Sequence, residues 1–184
     1  MKKSNLQNTV LTNHSSNSNK LFIELIQVAA SEKSSLRQLM QLYLYDFSEY
    51  DLEDVNKHGY YDYPYLDHYW TEAGRHPFFI KVDNQLAGFV LVRKLPAIQE
   101  AADVMAIAEF FVMRKYRRLG VGKIAALMVF DKFPGRWEVN QQGTNEPSKR
   151  FWENVIAEYS QTGYEILPVK EDDWEGQAIR FENG

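Results

Sequence analysis

Apolar and polar positions follow one another along this chain in short, regular runs. Residues 22–28 read as a first strand. Ser31 then caps a helix in which Leu36, Leu39, Met40, Tyr43 and Phe47 recur at helical spacing. The apolar runs 78–82 and 86–92, joined by Asp83-Asn84-Gln85, predict a hairpin. A further strand over 104–112 enters a basic, glycine-punctuated turn, and that turn opens an amphipathic helix burying Val121, Ile124, Ala125 and Met128. The next strand spans 137–141. Asn145-Glu146-Pro147-Ser148 then opens a helix with Pro147 in its first turn, where a missing N–H costs little. Two more strand-like runs cover 164–169 and 177–181. No repeat or interdomain linker interrupts the series, which predicts one mixed α/β domain over 21–184. Residues 1–20, rich in Asn and Ser, read as a mobile tail.

Length and composition narrow the class. A chain of 184 residues with 45 % apolar, 14 % aromatic and 25 % charged residues suits a single globular domain with a sizeable core. The formal charge of −4 argues against broad nucleic-acid binding. Positive charge is instead concentrated at Arg114, Lys115, Arg117, Arg118 and Lys123. The absence of cysteine excludes disulfides, thiol catalysis and thiolate metal sites. His58, His68 and His76 lack the close spacing of metal ligands, so no metal is expected. No apolar run approaches the ~20 residues of a membrane span. The basic N-terminus has no apolar signal core, so cytoplasmic residence without a membrane partner is expected.

The turn at 114–123 carries the chemistry. Its order is Arg-x-x-Gly-x-Gly, with Arg117, Gly120 and Gly122 in the named places. Glycines let a phosphate approach the backbone, and a helix start offers free N–H groups and a positive dipole end. Such a site suits a pyrophosphate. No third glycine makes it a dinucleotide fingerprint, and no Gly-Lys-Ser/Thr makes it a Walker loop. An ordinary strand-to-helix turn on a basic surface would show the same residues, but here the helix begins inside the motif.

The succession of Glu109-Phe110-Phe111-Val112 strand, Arg-x-x-Gly-x-Gly helix, strand and Asn145-led helix resembles the GNAT superfamily of N-acetyltransferases. The resemblance implies a central twisted mixed sheet of about six to seven strands flanked by helices. It also implies acetyl-coenzyme A as co-substrate. By position, Arg117, Arg118, Leu119, Gly120, Val121, Gly122 and Lys123 would hold the pyrophosphate. Phe111, Val112 and Met113 would meet the pantetheine arm by main chain. Asn145 and Trp152 would lie along the cofactor, with Lys149 and Arg150 as further phosphate candidates.

Acetylating an amine requires a base to take its proton and a donor to steady the developing oxyanion. Glu109 is the base candidate, since family members often carry an acid there, and strand alternation puts it on the face of Phe111. A salt-bridged strand-end glutamate is the plain alternative. The family's usual tyrosine acid, counted from Asn145, falls on Trp152, whose indole N–H is no proton source. Counted back from Gly163-Tyr164 it falls on Tyr159, so the acid stays open.

Residues 43–70 interleave acids with aromatics, among them Asp46, Glu49, Asp51, Glu53, Asp54, Tyr60, Tyr61, Tyr63, Tyr69 and Trp70. Carboxylates with aromatic faces favour a small cationic amine as acceptor. The same pattern would also fit core aromatics beside solvated acids. The leading reading is an N-acetyltransferase. A non-catalytic acyl-coenzyme A-binding module and a protein-interaction domain are the alternatives, and a homodimer through the aromatic segment or the last strands stays open.

Overall fold

Asp83 and Asn84 both take positive φ, 49° and 63°, in a computed structural model that describes residues 8–11, 21–96, 103–171 and 174–184. Two left-handed residues in succession make the tight reverse turn that matches strand twist, and short polar side chains tolerate them. The hairpin expected from Asp83-Asn84-Gln85 therefore forms, with Gln85 already in the second strand.

In chain order the elements are β1 (Asn8–Leu11), β2 (Leu21–Gln27), α1 (Lys33–Asp51), α2 (His68–Thr71), β3 (Arg75–Val82), β4 (Gln85–Lys94), β5 (Val104–Val112), α3 (Val121–Lys132), β6 (Gly135–Gln142), α4 (Glu146–Tyr159), β7 (Tyr164–Glu171) and β8 (Trp174–Asn183). They form one eight-stranded sheet in the order β1-β2-β3-β4-β5-β6-β8-β7. Every pairing is antiparallel except β5 with β6, which α3 joins by a crossover. This is the mixed α/β sheet flanked by helices that the sequence implies. The strand beyond the expected number is β1, which pairs with β2 inside the segment read as a tail. The rest of 1–20 lies outside the described residues.

Two apolar layers sandwich the sheet. On one face α3 and α4 bury Phe130, Trp152 and Ile156 against Val90, Val92, Trp137 and Phe181. On the other, α1 and α2 bury Leu36, Met40 and Tyr69 against Phe79, Phe89, Leu91 and Phe111. Alternate β4 residues thus serve opposite layers. Ser31 does not cap α1. It lies in a 3₁₀ turn, Ala30–Glu32, and Glu32 takes the cap position. The helix ends at Leu52, whose φ of 60° reverses the chain while its N–H closes on the Ser48 carbonyl.

Candidate active site

The parallel pairing of β5 with β6 is short. It runs from Val104 opposite Arg136 to Ile107 opposite Val139, although the strands continue to Val112 and Gln142. The cause lies on the other edge of β5. There Val92 pairs with Ile107 and Leu91 with Glu109, so Ala108 has no partner. Such a bulge bends and twists its strand, and β5 leaves β6 at that residue.

Beyond the bulge, register decides which main-chain groups face the gap. The Met113 N–H bonds the Ala87 carbonyl at 2.8 Å, so the Val112–Gly88 pair turns its own polar groups away from β4. Val112 and, two residues earlier, Phe110 therefore turn N–H and C=O away from β4 toward the gap, where Arg117 takes up the Val112 carbonyl. Phe111, paired with Phe89, directs its own to β4. Of Phe111, Val112 and Met113, only Val112 opens its main chain there. Phe110 was missed because the edge a carbonyl faces depends on pairing register, which residue type does not reveal.

The glycine loop lies at the mouth of this gap. Arg118 and Gly120 hold φ of 63° and 79°, and α3 starts at Val121. Its first helical bond runs from the Ile124 N–H to the Gly120 carbonyl, leaving the N–H groups of Val121, Gly122 and Lys123 without helical acceptors. A Cβ on Gly122 would stand 3.3 Å from the Phe151 ring and 3.6 Å from a Val112 methyl. Val121 is buried and Leu119 exposed.

Several charges expected at a phosphate already have partners. Arg117 donates from Nε to the Val112 carbonyl at 2.7 Å, and its guanidinium also reaches Asp46 on α1. Arg114 meets the same carboxylate at 2.7 Å. Lys123 pairs with Glu158, and Lys149 pairs with Glu146 at 2.9 Å. Arg118 forms no ion pair among the described residues. The Asn145 side chain caps α4 by accepting from the Ser148 N–H at 3.0 Å. Trp152 is core, 4 % exposed, with its ring 4.9 Å from both Phe110 and Phe151. Tyr159 donates to Asp131 at 2.8 Å and accepts from Asn183 at 2.9 Å.

Glu109 sits immediately after the bulge on the α1 face, shared with Ala108 and Phe111. It accepts a hydrogen bond from the Tyr63 hydroxyl at 3.0 Å, and the Tyr43 hydroxyl also faces it. Burial pushes its carboxyl above the ordinary value, while Tyr43, Tyr63 and the charge of Arg93 work in the opposite direction. Part of its surface stays open. Tyr69 completes the cluster. Burial and the Glu109 charge push its hydroxyl up to about 12. That hydroxyl is buried without a hydrogen-bond partner. A cleft between α1 and residues 56–66, lined by Arg37, Gln41, Tyr61 and Tyr63, lies to one side and does not include Glu109.

The profile of the Acetyltransferase (GNAT) family matches residues 36–155, well over half of the chain. The chain belongs to the GNAT family. Solved structures share this GNAT fold at low identity. An acetyltransferase of the GNAT family from Staphylococcus aureus Mu50 is 15 % identical, with 87 % of this chain and 98 % of that one covered at a TM-score of 0.60. An acetyltransferase from Thermus thermophilus is 14 % identical, covering 87 % and 96 % at 0.59. An aminoglycoside acetyltransferase crystallised with coenzyme A is 12 % identical, covering 87 % and 94 % at 0.61. No curated protein matches the sequence. Among the described residues no helix is long and apolar enough to cross a membrane, and no three His, Asp or Glu side chains gather as a metal site.

Proposed function

We propose that this GNAT protein transfers the acetyl group of acetyl-coenzyme A to a primary amine of a small acceptor, by direct attack in a ternary complex. The observation that carries the reading is Glu109, held behind the bulge with its carboxyl raised by burial, next to the first main chain that opens into the gap. The cofactor supplies the activated acyl group. The main chain of Phe110 and the N–H of Val112 would hold its arm, and the N–H groups of residues 119–123 with the Arg118 charge would hold its pyrophosphate. The fit rests on Gly122, where a side chain would meet Phe151 and Val112 instead of leaving backbone exposed.

An amine that is cationic at neutral pH must lose a proton before it can attack. A carboxylate with a raised pKa is a stronger acceptor for that proton than an ordinary glutamate. Tyr63 and Tyr43 orient the carboxylate from the α1 side.

The buried Trp152 and the fully bonded Tyr159 favour one other reading, a binding module that has lost its chemistry. Calorimetric titration with acetyl-coenzyme A, followed by turnover on an amine panel, separates the two. Gly122→Asp should abolish binding. Glu109→Gln should keep binding and lower turnover by about 100-fold. Binding without turnover of any amine would favour the module, and affinity retained in Gly122→Asp would sink both.

A further inference from the structure

The groups around Glu109 are not the ones that a purely cationic acceptor would ask for. Three of the seven acids gathered in residues 43–70 are engaged elsewhere. Asp46 lies between Arg114 and Arg117, Asp62 accepts from Asn56 at 2.8 Å, and Asp67 pairs with Lys33 at 2.5 Å. Asp51, the other α1 acid that acts on Tyr43, lies about two helical turns beyond it. The charges beside Glu109 come instead from the sheet. Arg75 on β3 stands directly opposite Arg93 on β4, and both project from the face of Leu91 and Phe89 that α1 and α2 cover. Like charges opposite one another destabilise a sheet unless anions relieve them.

Glu72 relieves one of them, accepting from Arg75 Nε at 2.6 Å. Arg93 is exposed, and among the described residues no carboxylate pairs with it. It follows Leu91, the strand partner of Glu109, by two residues and so projects from the same face about 7 Å further along β4. Tyr69 is 3 % exposed, and its hydroxyl faces Arg75 and Tyr63 without closing a full hydrogen bond to either. An exposed arginine, unpaired among the described residues, therefore stands on the face of the proposed base, one side chain further along the neighbouring strand.

We infer that the acceptor carries a carboxylate a few bonds from its amine, as a free amino acid does, and that Arg93 binds this carboxylate while Glu109 receives the amine. The inference rests on the acetyltransferase reading above. Arg93 offers a planar fork suited to a carboxylate. A polyamine would bring a second cation toward Arg93 and meet repulsion.

The test measures coenzyme A release with free L-amino acids, each paired with its own carboxamide, after calorimetry has established acetyl-coenzyme A binding. The expected result is a preference for the carboxylate of roughly tenfold or more in kcat/KM, expressed mainly in KM. In Arg93→Gln this preference falls toward parity, and Arg93→Lys restores part of it. Equal or better use of the carboxamides, or an unchanged preference in Arg93→Gln, would overturn the inference and leave the transferase intact. Turnover of diamines alone would do the same. Failure to bind acetyl-coenzyme A would sink the acetyltransferase reading itself.

Discussion

Arg117 donates its Nε–H to the carbonyl oxygen of Val112 at 2.7 Å, tying the head of the glycine loop to the strand that precedes it. The same guanidinium holds Asp46 of α1. One side chain thus fixes the loop, β5 and α1 in a common frame.

Asp46→Asn should loosen that frame. Burial opposes ionisation of Asp46, but the hydrogen bonds and charges of Arg117 and Arg114 outweigh it and hold the carboxyl below its usual 3.8. The depressed value means that the contribution is present above the unfolded pKa and lost as pH falls through the folded one. The variant should be less stable by about 1 kcal/mol near neutrality. Urea midpoints of the two proteins should converge as pH falls below the lowered folded-state value of the Asp46 carboxyl.

The Glu109 carboxyl is raised, so the acid limb of kcat/KM should lie above the ordinary value of 4.5. The Tyr63 hydrogen bond favours the ionised form and pulls that value down. Tyr63→Phe should therefore move the limb to higher pH, and Glu109→Gln should remove it. A limb that stays in place in both variants would take Glu109 out of the reaction.

Gly88→Ala should be severe. Its Cβ would fall 1.9 Å from the Phe111 carbonyl oxygen, a backbone atom that cannot swing aside. We expect a loss of about 2–3 kcal/mol in chemical denaturation as β4 is forced off β5. Gly122→Ala meets the movable Phe151 ring at 3.3 Å and a Val112 methyl at an ordinary 3.6 Å, and should cost about 1 kcal/mol or less.

Tyr159→Phe should separate structure from chemistry. The hydroxyl joins Asp131 to Asn183 at the far end of α4. Its loss should lower stability by about 1 kcal/mol and leave turnover unchanged. A large fall in turnover at unchanged stability would make Tyr159 the missing acid.

The elements were legible where local chemistry decides them. Asp83-Asn84 makes the hairpin because short polar residues accept positive φ, and β5 ends at Val112 where the basic turn begins. Asn145 with Pro147 starts α4 because a side-chain acceptor and a missing N–H both suit a first turn. What escaped depends on distant partners. Nothing in Ala106-Ile107-Ala108-Glu109 marks the bulge, since it arises from how β4 lies beside it. The engagement of Arg117, Lys123 and Asp46 is equally invisible, because charge counted along a chain does not say which charges meet. Arg93 and Tyr69 share the Glu109 face from β4 and α2, elements that carry no recognisable motif.

The unpaired Ala108 has an odd property. It shares its face with Glu109, so Ile107 before it and Phe110 after it both turn to the α4 side, as neighbours across one ordinary residue would. A chain lacking Ala108 would present the same side chains to the same layers, with its apolar core and its glutamate intact. The strands beyond it would then be free to zip together as far as they run, and the slot would close. Capacity to admit a ligand in this molecule comes down to a miscount of one between neighbouring strands, a quantity that belongs to no residue's chemistry.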